Sequence, residues 1–150
     1  MKILLPFDGS VSAVAAVQTS IRLIDDGLDA SVVLANVQEP ASLYELMVAH
    51  DPQVIEQASA AAGAHTLQVA QTLLEDAGII YESEVANGDP ANMLLELLEN
   101  YACDLVIMGA SGTSALRSAL LGSVSNEVLH AAGVPVMIVK SPEHDTDDSE

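Results

Sequence analysis

Glycine and serine residues in the second half of the chain have a spacing that could hold an anion. The apolar segment Leu105–Met108 has the length and branching of a buried strand, and Gly109 follows it directly. Gly112 comes after two more residues, and Gly122-Ser123 after a further nine, where a helical pattern begins. Glycine lets backbone N–H groups approach a ligand because it has no Cβ, and a helix N-terminus favours phosphate. The spacing Gly-x2-Gly-x9-Gly-Ser therefore predicts a phosphate-binding loop.

The elements that would position this loop alternate between strand and helix patterns, which predicts an α/β fold with a parallel sheet. Continuous apolar segments predict buried strands. One further segment, Ile79 to Val85, alternates apolar residues with Glu82 and Glu84, so we place it at a sheet edge. The predicted strands are residues 2–7, 31–37, 79–85, 105–108 and 136–139.

Capping residues predict where the helices begin and end. Ser10 or Ser12 can cap the first helix, and Gly27 can stop it. Asp51-Pro52 starts a long helix that runs to about Ala77. Its buried face is predicted to carry Ile55, Ala58, Ala62, Val69 and Leu73. The other predicted helices are a short piece over 43–50, one that opens at 89–90 and one over about 123–132.

Charge and hydropathy exclude several classes of function. The chain has 150 residues, with 22 acidic and 4 basic side chains and a formal net charge of −18. Such a surface repels nucleic acid and anionic membranes, so neither is expected as a partner. No apolar run approaches the ~18–20 residues of a membrane span. The acidity indicates either an ordinary solvated surface or adaptation to high internal salt, and we favour the former.

Cysteine and histidine usage gives no sign of a disulfide framework or a metal site. The chain has one cysteine, Cys103, which fits a reducing cytoplasm and is interpreted as a small core residue. The four histidines share no ligand spacing, so no metal site is predicted from them. No lysine follows a glycine loop, which excludes a Walker P-loop.

The loop, followed by Val124 and by a Pro-Val-x-Ile-Val segment at 135–139, resembles the ATP-binding branch of the universal stress protein family. The resemblance covers nearly the whole chain, including the opening segment 3–10 and the middle segment 87–90. It implies a single-domain, adenine nucleotide alpha hydrolase-like fold over residues 1–140, with helices on both faces of an open parallel five-stranded sheet. Residues 141–150 would form an acidic, disordered tail. The implied strand order is 3-2-1-4-5, which places a crevice at the carboxyl ends of strands one and four.

The resemblance also implies the phosphate and ribose contacts. Gly109, Gly112, Gly122 and Ser123 would make them, and Ser123 could also cap its helix. Arg117, inside the loop, would either pair with the phosphates or be solvated.

The adenosine end of the site would be built from other segments. Asp8 would lie beside the adenosine, bridge a metal, or simply form a turn before Gly9. Ser125 would be either a further contact or a surface residue of the helix. The remaining implied contacts are Pro6, Val37 and Met108, which would line the adenine slot, together with Ser10 and Val124.

These observations predict a cytoplasmic protein that binds ATP, or else AMP, with or without Mg²⁺, and acts as a regulatory module in a stress response. The regulated protein is unknown. A slow ATPase or phosphotransferase is one alternative, which we rank lower because no catalytic base is evident. The other is a dimeric interaction module that uses no nucleotide. A homodimer through the edge strand Val136–Val139 is expected by resemblance, since its outer side would expose unpaired backbone groups.

Overall fold

A computed structural model of the chain describes residues 1–39, 51–111 and 121–141, in which five strands and four helices follow one another. Within these residues strands and helices alternate. The elements are β1 Lys2–Pro6, α1 Val11–Asp25, β2 Ser31–Gln38, α2 Pro52–Asp76, β3 Tyr81–Asn87, α3 Pro90–Asn100, β4 Leu105–Gly109, α4 Ser123–Ala131 and β5 Val136–Val139. The predicted helical piece at 43–50 and the tail beyond Ser141 lie outside the described residues.

The five strands form one parallel sheet in the order β3-β2-β1-β4-β5, which confirms the predicted fold. β1 is central and pairs with β2 and β4, so its residues Ile3, Leu4 and Leu5 are fully buried. Because successive strand residues point to opposite faces, Ile3 and Leu5 join one core and Leu4 joins the other. Buried residues of α1 and α2 complete the first core, and those of α3 and α4 complete the second.

The edge strand β3 is held from both faces by tyrosine–carboxylate hydrogen bonds. The Tyr81 hydroxyl donates to Glu75 of α2, and the Tyr101 hydroxyl donates to Glu84 at 2.6 Å. The carboxylate of Glu84 favours the protonated phenol, which raises the pKa of Tyr101 to about 12. The strand starts two residues later than predicted because Ile79 turns back, its N–H donating to the carbonyl of Leu74.

The long helix α2 begins at its predicted Asp51 cap, but its predicted buried face is wrong for most of its residues, although Leu73 does pack against the first core. The side chain of Val69 is 56% exposed. The buried positions are Gly63, Leu67, Ala70 and Leu74. A Cβ on Gly63 would collide with Val85 and lie 2.8 Å from Oδ1 of Asn36, so the helix backbone approaches the sheet closely there. None of the described helices has the length and hydropathy that a membrane-spanning helix requires.

Cys103 is 6% exposed, as its interpretation as a core residue predicted. Burial disfavours the thiolate and raises the pKa of the thiol. Since the thiolate is the reactive form, we expect iodoacetamide at pH 8 to alkylate native Cys103 at least about tenfold more slowly than the urea-unfolded chain. Mass spectrometry over time measures both rates, and N-acetylcysteine in each solvent is the control. Equal rates would contradict the buried placement.

Candidate functional site

The carboxyl ends of β1 and β4 lie side by side and bring most of the predicted site residues to one edge of the sheet. Pro6 ends β1 and Gly109 ends β4. The order in which successive strands are added to the sheet reverses direction between β1 and β4. Open α/β sheets form their ligand crevice at such a point. Helix α1 starts from this edge after β1, and α4 starts after β4. Gly112 and Arg117 fall outside the described residues.

Residues 109–111, which we call the exit segment, carry the chain out of β4, and the carbonyl of each of them accepts a hydrogen bond. The carbonyl of Gly109 accepts from the Ser125 hydroxyl at 2.8 Å. The carbonyl of Ala110 accepts from the Gly122 N–H at 2.8 Å. The carbonyl of Ser111 accepts from the Ser12 hydroxyl. Three consecutive carbonyls are therefore each paired, and the donors come from both ends of the chain.

Gly109, predicted as a ligand contact, also has a packing role. A Cβ built on it would lie 2.7 Å from the carbonyl carbon of Ser12 and 2.9 Å from the amide nitrogen of Ala13. Contacts that short do not occur in real structures, so only glycine lets β4 end against the first turn of α1. This packing explains the residue type whether or not a ligand is bound.

The first turn of α4 differs from its prediction in one respect. Gly122, with φ −64° and ψ 158°, is the N-cap, and Ser123 is the first helical residue. The interpretation of Ser123 as the cap is therefore wrong. Because glycine has no side chain that could accept from the first turn, the helix begins without a side-chain cap. The first N–H groups of a helix have no partner within the helix, so this end of α4 can donate to an anion.

Two further α4 residues face the protein interior. Ser125 is 4% exposed and donates to the carbonyl of Gly109, so its alternative interpretation as a surface residue is wrong. Val124 packs against the core between the sheet and helices α3 and α4. Both residues thus link the start of α4 to β4 or to the sheet.

The loop after β1 is organised around Asp8 and Ser10. The carboxylate of Asp8 accepts from the N–H of Ser10 at 2.9 Å, which is the turn-forming role predicted as one possibility. Ser10 caps α1 by accepting from the N–H of Ala13 at 3.2 Å. The Asp8 side chain is exposed at the carboxyl edge of the sheet and has one carboxylate oxygen in the turn.

The residues predicted to line an adenine slot lie at the ends of three neighbouring strands. Pro6 is half-buried at the end of β1, next to Ala35 of β2. Val37 is half-buried near the end of β2, and Met108 is 4% exposed in β4. Both Val37 and Met108 pack in the core on the α3 and α4 face.

Sequence reasoning missed three residues at this edge. Ser12 is 3% exposed and was considered only as a helix cap. Asn36 is 4% exposed, and its side-chain amide donates to the carbonyl of Phe7 at 3.0 Å. Its polarity inside an otherwise apolar strand was the available signal. Lys140 is exposed directly after β5, on the same edge of the sheet as Gly109. The available signal for Lys140 was that it is one of the few basic residues of the chain.

The topology and the position of the crevice define a doubly wound α/β protein with its switch point between β1 and β4. A family model described as the universal stress protein family matches residues 1–140. The chain therefore belongs to the universal stress protein family.

Individual relatives agree with this assignment. The universal stress protein MJ0531 of Methanocaldococcus jannaschii is 30% identical over 141 residues, which cover 94% of this chain and 82% of that protein. The structure of MJ0577 from the same organism is similar with a TM-score of 0.79 at 26% identity, over 93% of this chain and 94% of that one. A family member from Arabidopsis thaliana, solved with AMP bound, has a TM-score of 0.70 at 19% identity, covering 97% and 95% of the two chains. At 19% identity the last likeness shows the fold alone.

Proposed function

We propose that this chain binds an adenine nucleotide, ATP before AMP, in the crevice between β1 and β4, and acts as a nucleotide-dependent regulatory module in the cytoplasm. The observation that carries the proposal is the first turn of α4. It starts at Gly122 without a side-chain cap, on the same sheet edge as the end of β4. Helix N–H groups without partners favour a phosphate at this point.

The rest of the crevice is compatible with a nucleoside attached to those phosphates. Val37 and Pro6, both half-buried, offer apolar surface at the ends of adjacent strands, with the buried Met108 in the core beside them, and Asp8 is exposed in the loop between β1 and α1. The AMP-bound relative with the same fold supports an adenine nucleotide as the ligand class. The proposal of ATP in preference to AMP rests on the resemblance of the glycine spacing to that of the ATP-binding branch of the family.

Mass spectrometry of the nucleotide released when the purified protein is denatured tests this proposal most directly. We expect ATP, or AMP, in a stoichiometry that approaches one per chain. Calorimetric titration of protein stripped of ligand then compares ATP with GTP, and ATP should bind more tightly. No nucleotide released and no ATP binding by folded, stripped protein would overturn the proposal and leave a protein-interaction module.

The chain is also proposed to form a homodimer through the free edge of β5. Met137 is 38% exposed in this short apolar strand. An exposed apolar edge invites pairing with a second strand, and a two-fold contact between identical edges is self-complementary. Such a dimer would give the regulatory module a defined surface for a protein partner.

Turnover of bound ATP is expected to be negligible. Phosphoryl transfer needs cationic groups around the phosphates and a group that positions the nucleophile. Of the basic residues that the structure describes, Lys2 starts β1 and Arg22 lies in the last turn of α1, both remote from the carboxyl edge, which leaves Lys140. Malachite-green detection of phosphate should give a rate far below the ~1 s⁻¹ of an ordinary enzyme. A rate above that value, lost in Gly122→Val, would place the protein among the ATPases.

A further inference from the structure

The exit segment poses an electrostatic problem for a protein that binds a polyphosphate. Carbonyl oxygens carry partial negative charge, and the exit segment has three consecutive ones; that of Ala110 lies 2.8 Å from the amide nitrogen of Gly122, where α4 begins and the phosphates are proposed to bind. The chain adds to this repulsion, with a formal net charge of −18. Unpaired carbonyls pointing at a phosphate would oppose its binding, most strongly where water is excluded.

The structure provides a donor for each of these carbonyls. Ser125 donates to Gly109 at 2.8 Å, and Ser12 donates to Ser111, whose carbonyl has a second, longer contact at 3.4 Å from the Ser10 hydroxyl. The N–H of Gly122 donates at 2.8 Å to the carbonyl of Ala110, which lies between the other two. Ser12 and Ser125 are 3% and 4% exposed, so water cannot readily replace their hydroxyl groups.

The same bonds fix the direction of the exit segment. The Ser12 hydroxyl also accepts from the N–H of Ser111 at 3.4 Å, so one side chain holds both main-chain groups of that residue. On the other side, the N–H of Ala110 donates to the carbonyl of Val139 in β5. The segment that leads into the glycine loop is therefore held by α1, α4 and β5.

Resting on the proposed function, we infer that Ser12 and Ser125 are positioning residues that make the crevice selective for polyphosphate. They pair the carbonyls of the exit segment and hold them in fixed directions, so that N–H donors dominate at the phosphate position. Neither hydroxyl needs to touch the ligand. Their loss should weaken the binding of charged phosphates and leave the binding of the uncharged nucleoside nearly unchanged.

Ser20 offers a matched control on the same helix as Ser12. It is fully buried, and its hydroxyl donates at 2.9 Å to the carbonyl of Ala16, inside α1 and away from the exit segment. Ser20→Ala therefore removes a buried hydroxyl and one hydrogen bond, as the test variants do, without freeing a carbonyl at the crevice.

The test is calorimetric titration of Ser12→Ala, Ser125→Ala and Ser20→Ala with ATP and with adenosine, after urea unfolding has shown that each variant folds. Loss of one hydrogen bond next to the phosphates should weaken ATP binding by about tenfold in the first two variants, with adenosine affected by less than about twofold. Ser20→Ala should change neither affinity by more than about twofold. The ATP-to-adenosine ratio is the decisive readout, because a general loss of stability would not alter it.

Other results overturn the inference in distinguishable ways. An equal loss of ATP and adenosine binding, or the same ratio change in Ser20→Ala, would mean that the serines support only the fold. If one variant does not fold, the other decides; if neither folds, their role is structural and the inference fails. Wild-type protein that binds no ATP would overturn the proposed function as well, whereas unaltered ATP binding in both folded variants would overturn this inference alone.

Discussion

Replacing Gly122 with valine is expected to abolish ATP binding while leaving the fold intact. The branched side chain would stand immediately before the first turn of α4, where the free N–H groups are proposed to hold the phosphates. We expect the affinity for ATP to fall by at least about 100-fold, which corresponds to about 2.7 kcal/mol. Calorimetric titration of the stripped variant with ATP measures the loss.

The fold should tolerate this change because the backbone at Gly122 does not require glycine. Its φ of −64° and ψ of 158° are accessible to any residue, and its N–H can keep the hydrogen bond to the carbonyl of Ala110. A poor N-cap residue should cost about 1 kcal/mol in urea unfolding.

The matched control for Gly122→Val is Gly133→Val, at the other end of α4. A Cβ at Gly133 meets no atom within 4 Å, so the same substitution there should leave both ATP binding and folding close to wild type. Unchanged ATP affinity in folded Gly122→Val would show that the spacing Gly-x2-Gly-x9-Gly-Ser has only a structural role in this chain.

Substituting proline for Val136 is expected to dissociate the proposed homodimer into folded monomers. The carbonyl of Pro135 accepts from Val106 of β4 and that of Val139 accepts from Ala110 directly after β4, so the backbone groups of Val136 and Ile138 point to the other side of β5. Proline at 136 removes an outward N–H and spares the β4–β5 ladder. The dimer dissociation constant should rise by at least about 100-fold, measured by sedimentation equilibrium.

Two further variants test whether the effect on the dimer is specific to the edge strand β5. Met137→Lys adds a charge to the exposed side chain of the same strand and should also weaken the dimer. Ser83→Pro removes an outward N–H from β3, the opposite edge of the sheet, and should leave the dimer unchanged. A single-chain mass for wild-type protein at micromolar concentration, or dissociation by the β3 variant alone, would contradict an interface at β5.

Interactions between residues that are close in the chain allowed several elements of this structure to be predicted from the sequence. Asp51 caps its helix as predicted, and Asp89 caps the helix that was predicted to open at 89–90, because a cap joins residues two or three positions apart in the chain. The glutamates of β3 marked an edge strand, since alternating charge requires one solvated face. The strand order followed from the family resemblance and was confirmed by the sheet.

Contacts between distant parts of the chain decided the rest. The alanine-rich helix α2 offers apolar residues on several sides, so only its packing against the sheet decided that Gly63, Leu67, Ala70 and Leu74 are the buried ones. Ser12 and Ser111 are 99 residues apart, and no pattern in either segment indicates that one hydroxyl binds both main-chain groups of the other residue. A sequence shows the preference of each residue for its neighbours along the chain. Which hydroxyl reaches which carbonyl depends on how closely two elements pack, and only the folded backbone sets that distance.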